Sequence, residues 1–320
     1  MKEFDLIKEY FAQQGLSRKD VVVGIGDDCA VVQPSDRQHI AITTDTLVEG
    51  VHFLKDASAR SIGHKVVAVS LSDLAAMGAE PSWITLAVSL PSIDPKWVEE
   101  FCKGVFDLCE YYHVQLVGGD TTQGPLSVTV TAQGLMPIGK HLSRSGAKAG
   151  DWIYVTGEVG DAALALQYLL GNVELCEGKH QAVNKLDFPK PRVLAGQALR
   201  EYATSAIDIS DGLLVDLNHI CKGSGIGANL QLEQLPISNT MRDALGEREG
   251  LTMALTGGDD YELLFTVSQD NKVGMETALA HTGVAVTCIG QMTGGDKIVT
   301  TLNGEAFSID IKGYEHFSNK

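Results

Sequence analysis

Basic residues are scarce in this chain: 25 Lys and Arg stand against 41 Asp and Glu, a formal net charge of −16. Nucleic-acid backbones demand basic patches, so nucleic acid is excluded as the main partner. Nucleotides are not excluded, provided that cations bridge acid to phosphate. The six cysteines (Cys29, Cys102, Cys109, Cys176, Cys221 and Cys288) form no C-x-x-C pair and no histidine cluster accompanies them, which argues against a zinc site. Cys102 and Cys109 read as core residues of one helix. No apolar run reaches the length of a membrane span, and Met1-Lys2-Glu3-Phe4-Asp5 lacks the basic-then-apolar start of a signal peptide. The expectation is a cytoplasmic protein without a membrane partner. The P-loop G-x-x-x-x-G-K-[ST] is missing, and Cys29 stands where a dinucleotide fingerprint starting at Gly24 needs its third glycine. Protein-kinase signatures are missing too, as is the D-x-D-x-D-G loop of a calcium-buffering protein.

What is present is a chain of 320 residues, more than one hydrophobic core usually serves, so two domains are expected. The glycine- and lysine-rich stretch 139–151 has no apolar period and divides 1–138 from 139–320. Periodicity predicts helices over 3–14, 58–77, 95–112, 160–170, 192–202, 213–221 and 270–281. Strands are predicted at 21–23, 31–32, 39–44, 83–90, 115–117, 126–136, 152–156, 206–209, 228–232, 263–267, 284–290, 298–302 and 307–311, with 171–191 irregular. Both halves mix strands and helices without clean βαβα alternation, which predicts α+β.

Five runs of glycine, threonine and aspartate expose carboxylates beside apolar segments: Gly24–Asp28, Thr43–Asp45, Gly118–Thr122, Asp208–Gly212 and Gly257–Asp260. Adjacent carboxylates such as Asp27 and Asp28 repel unless a cation compensates; a solvated turn is the plain alternative. Thr43, Thr44 and Asp45 offer oxygen ligands to a hard ion or serve as a cap. Asp73 lies in a small, apolar helical stretch, costly unless paired or metal-bound. Gly119 before Asp120 permits close approach of a phosphate to the backbone. Asp208 and Asp211 flank Ser210 at a strand end. Arg144, in Ser143-Arg144-Ser145-Gly146, suits bidentate phosphate contact. His52 is ambiguous between a structural and a functional role.

The joint order of these motifs, with Thr-Thr-Asp-Thr-Leu-Val-Glu-Gly-Val-His-Phe (43–53), Ser-Asp-Leu-Ala-Ala-Met-Gly-Ala (72–79) and Gly-Gly-Asp-Asp-Tyr-Glu-Leu (257–263), resembles the thiamine-monophosphate kinase family across nearly the whole chain. The resemblance implies the two-domain aminoimidazole ribonucleotide synthetase-like fold. Its N-terminal domain binds ATP and Mg2+ and forms a dimeric barrel, and its C-terminal α+β sandwich closes the active-site cleft. It implies ATP-dependent phosphorylation of thiamine monophosphate to thiamine diphosphate in a homodimer with several Mg2+ ions. By motif matching, Asp28, Thr43, Thr44, Asp45, Asp73, Asp120, Asp208 and Asp211 would hold metal. Gly119, Asp120, Arg144 and Ser210 would touch ATP. His52, Asp259 and Tyr314 would line the substrate site, and Asp45, Asp120, Arg144 and Asp211 would carry catalysis. Two positions depart from the family pattern: Asp259 replaces a usual Glu and Ala149 a usual Pro. Another ATP-dependent synthetase of the same superfamily is the alternative.

Overall fold

The computed structural model describes residues 3–12 and 15–309. The chain divides into two compact units, 1–74 with 79–139, and 75–78 with 140–320.

In the first unit, α1 (Glu3–Leu6) runs into a wider turn at Ile7–Phe11. A short antiparallel ribbon follows, made of β1 (Val21–Val23) and β2 (Val31–Val32). Then come β3 (Gln38–Val48), α2 (Ala59–Ala76), β4 (Glu80–Leu90), α3 (Pro95–Tyr111), β5 (Gln115–Gln123) and β6 (Ser127–Pro137). Strands β3 to β6 form one sheet in the order β3-β6-β4-β5. The β4–β5 pair is parallel and the others antiparallel. Alternation in β6 explains the sheet's two faces: Val128, Val130 and Ala132 are buried, while Thr129 and Thr131 are half-buried. Helix α3 starts where Asp94 accepts the Lys96 N–H at 3.0 Å and Pro95 takes the first helical position. Its buried stripe includes Cys102 and Cys109, the core role expected for them. Helices α2 and α3 meet backbone to backbone: a Cβ on Gly63 would lie 2.1 Å from the Phe101 carbonyl, and one on Gly104 2.0 Å from that of Arg60.

Two strands exceed their sequence expectation. β3 continues through Thr43-Thr44-Asp45 to Val48, and β5 continues through Gly118-Gly119-Asp120, where a turn was expected. Polar and glycine residues read as strand ends locally, but eleven paired positions with β6 hold β3 extended.

The second unit contains β7 (Trp152–Thr156), α4 (Asp161–Leu169), α5 (Lys179–Asp187), α6 (Val193–Leu199), β8 (Ala203–Asp208), α7 (Leu213–Ser224), β9 (Gly227–Gln231), α8 (Asn239–Thr256), β10 (Leu263–Val267), α9 (Lys272–Ala280), β11 (Val286–Thr293), β12 (Ile298–Leu302) and β13 (Glu305–Ala306). Its seven-stranded sheet has the order β13-β12-β9-β11-β7-β10-β8. Every residue of β10 is buried, as a continuous apolar run between two covered faces requires. One large cluster joins this sheet to α4, α5, α7 and α8, through residues such as Leu164, Leu186, Leu217, Met241 and Leu264. Elsewhere Tyr154 stacks on Phe265 at 5.6 Å and donates its hydroxyl to Glu276 of α9 at 2.9 Å.

Helix α5 lies within the stretch expected to be irregular, and α8 had no counterpart in the sequence reading. Gly246, with φ 72°, kinks α8 and interrupts its period. The strand expected at 307–311 is displaced: β13 ends at Ala306, and 310–311 lie outside the described residues. No helix among the described residues is long and apolar enough to cross a membrane.

Candidate functional site

Strand alternation separates residues that the sequence grouped. Thr43 and Asp45 point from β3 toward α2. The Thr43 hydroxyl donates to Asp73 Oδ2, and Ser70 Oγ donates to Asp45 Oδ2 at 2.8 Å. Thr44 faces the other way and shares a hydrogen bond with Thr131 across β6 at 2.9 Å. Burial, then the neighbouring Asp73, pushes the Asp45 carboxyl up to about 6 against the opposing Ser70 bond. Two carboxylates crowded beside hydroxyl oxygens form a donor set that suits a hard divalent cation, which would relieve their repulsion. His52 closes the tight turn after β3. Its Nδ1 accepts the Val48 N–H at 3.0 Å, which leaves Nε2 as the protonated nitrogen of the neutral ring.

A cavity of about 620 Å³ lies against edge strand β5 of the same unit. Ile7, Phe11, Ile25 and Leu116 give it an apolar wall; Asp27, Asp28, Gly118, Gly119 and Asp120 give it a polar one. Asp28 and Asp120 are exposed. Gly119 is required by packing: a Cβ there would sit 1.9 Å from the Leu86 carbonyl oxygen of β4. Such a mixed wall can take a flat apolar ring at one side and anionic groups, with a cation, at the other.

In the second unit, Ser210 and Asp211 follow β8, whose last residue Asp208 is buried opposite Leu263 of β10. The 257–262 loop is laced onto this strand end. Asp259 N–H donates to the Ser210 carbonyl and Tyr261 N–H to that of Ile209, both at 2.9 Å. Asp259 and Tyr261 hold left-handed φ values of 69° and 52°, costly for a residue with a side chain and persistent only where surroundings enforce it. The Tyr261 hydroxyl donates to Asp259 Oδ1 at 2.8 Å. Below them Glu262 is buried and accepts from Thr156 Oγ1 and Arg192 Nε, each at 2.6 Å. Arg144 is exposed on its loop. That loop is anchored to β8 by Ala206 N–H on the Ser143 carbonyl at 2.8 Å, and to α7 through Ser224.

Among the described residues no group of three or more His, Cys, Asp and Glu side chains is spaced to hold a metal ion. Two couples of carboxylates involve candidate site residues, Asp45 with Asp73 and Asp211 with Asp216. Tyr314 lies outside the described residues. Ser70, Arg192, Glu262 and Asp216 escaped the sequence reading. Of these only Glu262 carried a signal, as part of the Gly-Gly-Asp-Asp-Tyr-Glu-Leu run. Asp216 is buried, and burial followed by Asp211 pushes its carboxyl up to about 7, against three backbone N–H bonds that favour its charge.

This geometry has relatives. Residues 26–136 match the AIR synthase related protein, N-terminal domain, and residues 148–303 the corresponding C-terminal domain. The two units thus define an AIR synthase related protein. Over 319 residues the chain is 49% identical to thiamine-monophosphate kinase of Escherichia coli K12, covering 99% of this chain and 98% of that one. The crystal structure of thiamine-monophosphate kinase from Stenotrophomonas maltophilia K279a is 42% identical, with a TM-score of 0.87 over 96% of this chain and 98% of that one. AaThiL complexed with AMPPCP and TMP is 30% identical, with a TM-score of 0.78 over 98% and 96%. The chain belongs to the thiamine-monophosphate kinase family.

Proposed function

We propose that this chain transfers the γ-phosphoryl group of ATP to thiamine monophosphate, giving thiamine diphosphate and ADP, by direct in-line displacement without a phosphoenzyme. The observation that carries this reading is the full-length likeness to AaThiL in complex with AMPPCP and TMP. The acceptor is a phosphate oxygen whose second pKa is about 6, so it is largely ionised near neutral pH. No strong general base is needed. The obstacle is anion–anion repulsion, which positioning and charge neutralisation must overcome.

Mg2+ ions would supply that neutralisation and align donor with acceptor. The residues we assign to them are Asp28, Thr43, Asp45, Asp73, Asp120, Asp208 and Asp211 through their side chains, and Thr44, whose hydroxyl faces Thr131, through its backbone carbonyl. Gly119, Asp120, Arg144 and Ser210 contact ATP, and the apolar wall of Ile7, Phe11 and Leu116 suits the base. His52, Asp259 and Tyr314 recognise thiamine monophosphate. Catalysis falls to Asp45, Asp120, Arg144 and Asp211. The first unit, 1–138 in this reading, pairs with a second copy, and 139–320 completes the enzyme. Six free thiols suit a reducing cytoplasm, where we place it.

Purified protein mixed with ATP, Mg2+ and thiamine monophosphate, with free thiamine as a parallel acceptor, tests this. Thiamine diphosphate and ADP are expected from the monophosphate alone. ATP binding without any phosphorylated thiamine would move the function to a sister synthetase.

A further inference from the structure

Helix α7 ends its N-terminal side in an unusual way. Three consecutive backbone N–H groups, of Ser210, Asp211 and Gly212, converge on one oxygen, Asp216 Oδ2, at 3.1, 3.2 and 3.2 Å. Asp216 is 2% exposed. Gly212 permits the wrap, with φ 123° and a Cβ position only 2.9 Å from the Thr256 carbonyl oxygen. The Ser210 peptide is held from its other side too, by the Asp259 N–H on its carbonyl.

Orphan amides at a helix N-terminus ordinarily offer themselves to a phosphate. Here a carboxylate from the first turn of α7 already takes the three amides that lead into the helix. A phosphate approaching the Ser210–Gly212 backbone finds these three amides occupied and meets the Ser210 and Asp211 side chains instead. We propose that Asp216 is a positioning residue for the nucleotide: it plugs the amide nest, locks the Ser210–Gly212 backbone, and so aims the Ser210 hydroxyl and Asp211 carboxylate at their ligands. The proposal rests on the assignment of Ser210 and Asp211 to ATP and metal. It explains why a buried residue of α7 is an acid. A purely structural helix cap needs one accepted N–H; three on one oxygen fix direction as well as stability.

The test compares steady-state kinetics and Mg2+ titrations of wild type, Asp216→Asn, Asp211→Asn and Leu279→Ala. Leu279 is a buried residue of α9 outside the proposed machinery, and its truncation controls for lost stability. Asparagine keeps the size of Asp216 and one accepting oxygen but removes the charge that strengthens the three bonds. For Asp216→Asn the KM for ATP and the half-saturating Mg2+ are expected to rise about tenfold, the scale of one charged hydrogen bond. The KM for thiamine monophosphate should stay within about twofold. Leu279→Ala should melt lower yet keep both KM values. Faster hydrogen exchange at 210–212 in Asp216→Asn gives a reading even if turnover is too slow to measure. Loss of function in Asp211→Asn with wild-type kinetics in Asp216→Asn would overturn the positioning role and leave the functional reading standing. Wild-type kinetics in both variants would overturn both. An equal rise in the KM for ATP in Leu279→Ala would reduce Asp216 to a stabilising cap and overturn the proposal.

Discussion

Asp45 carries the clearest tension at the scale of single residues. Its carboxyl is pressed between burial and Asp73, and one hydroxyl from Ser70 offsets only part of the cost. The unfolded group titrates near 3.8 and the folded one at about 6. Between these values the folded state binds the extra proton, so stability falls as pH rises through this window and the loss is complete above it. Asp45→Asn removes the charge and keeps the size. At pH 8 without metal, the variant should melt higher than wild type by roughly 2–4 °C, about 1 kcal/mol after allowance for solvent screening. The gap should narrow as pH falls from 7 to 4, and turnover with Mg2+ should be lost. Thermal melts in chelator across that range, with a product assay alongside, check all three. Identical melts at pH 8 would remove the repulsion from the account. The crowding of Asp45 with hydroxyl oxygens was legible because a carboxylate beside Thr-Thr brings such oxygens together. Thr44 was not, because its side chain takes the other face of a strand whose length the local sequence concealed. Asp216 was hidden for a different reason: an acid in the first turn of a helix reads as a partner of the helix dipole, and only the folded loop shows three N–H groups around it.

At the scale of elements, paired glycines signal turns in a local window, yet in β5 they sit inside a strand. The reason lies across the sheet. Residues 118 and 119 pair with Thr85 and Leu86 of β4, and the approach at Gly119 leaves no room for a side chain. A methyl group there would meet the Leu86 carbonyl oxygen at 1.9 Å, whereas at Gly118 the nearest atom is Thr85 Cγ2 at 4.0 Å. Gly119→Ala should therefore part β5 from β4 and cost on the order of 2–4 kcal/mol. Gly118→Ala should change stability by roughly 0.5 kcal/mol or less. Urea midpoints of the two variants measure the contrast, and equal midpoints would show that the strand yields without cost. Helices with a clean apolar stripe, such as α3, were legible down to the Asp94 cap. Helix α8 was not, because Gly246 and the charged run around it break the period. A kinked helix keeps its place through tertiary burial of Met241, Leu251, Ala254 and Leu255, which no local window contains.

At the scale of the whole molecule, β3 is a long edge strand with exposed apolar residues. It is eleven residues long, with Ile40 43% and Ile42 67% exposed. It carries no proline and no lysine among its residues, the usual devices that protect an edge. The Thr44–Thr131 and Thr46–Thr129 ladders continue the same outward face. A second copy supplying the same surface would bury these isoleucines and satisfy the barrel expected from the family resemblance. Each copy brings a formal charge of −16, so association must overcome long-range repulsion. Salt screens that repulsion without weakening apolar contact, the Debye length falling from about 30 Å at 0.01 M to about 10 Å at 0.1 M. A dimer formed through this face should therefore tighten as salt rises, opposite to an interface held by ion pairs. Ile42→Lys should place a buried ammonium at the contact and yield monomers with an unchanged circular dichroism spectrum. Light scattering of both proteins at low and moderate salt separates the possibilities. A wild-type dimer that loosens with salt would assign the contact to charge, and an Ile42→Lys protein that still dimerises would move it off this face.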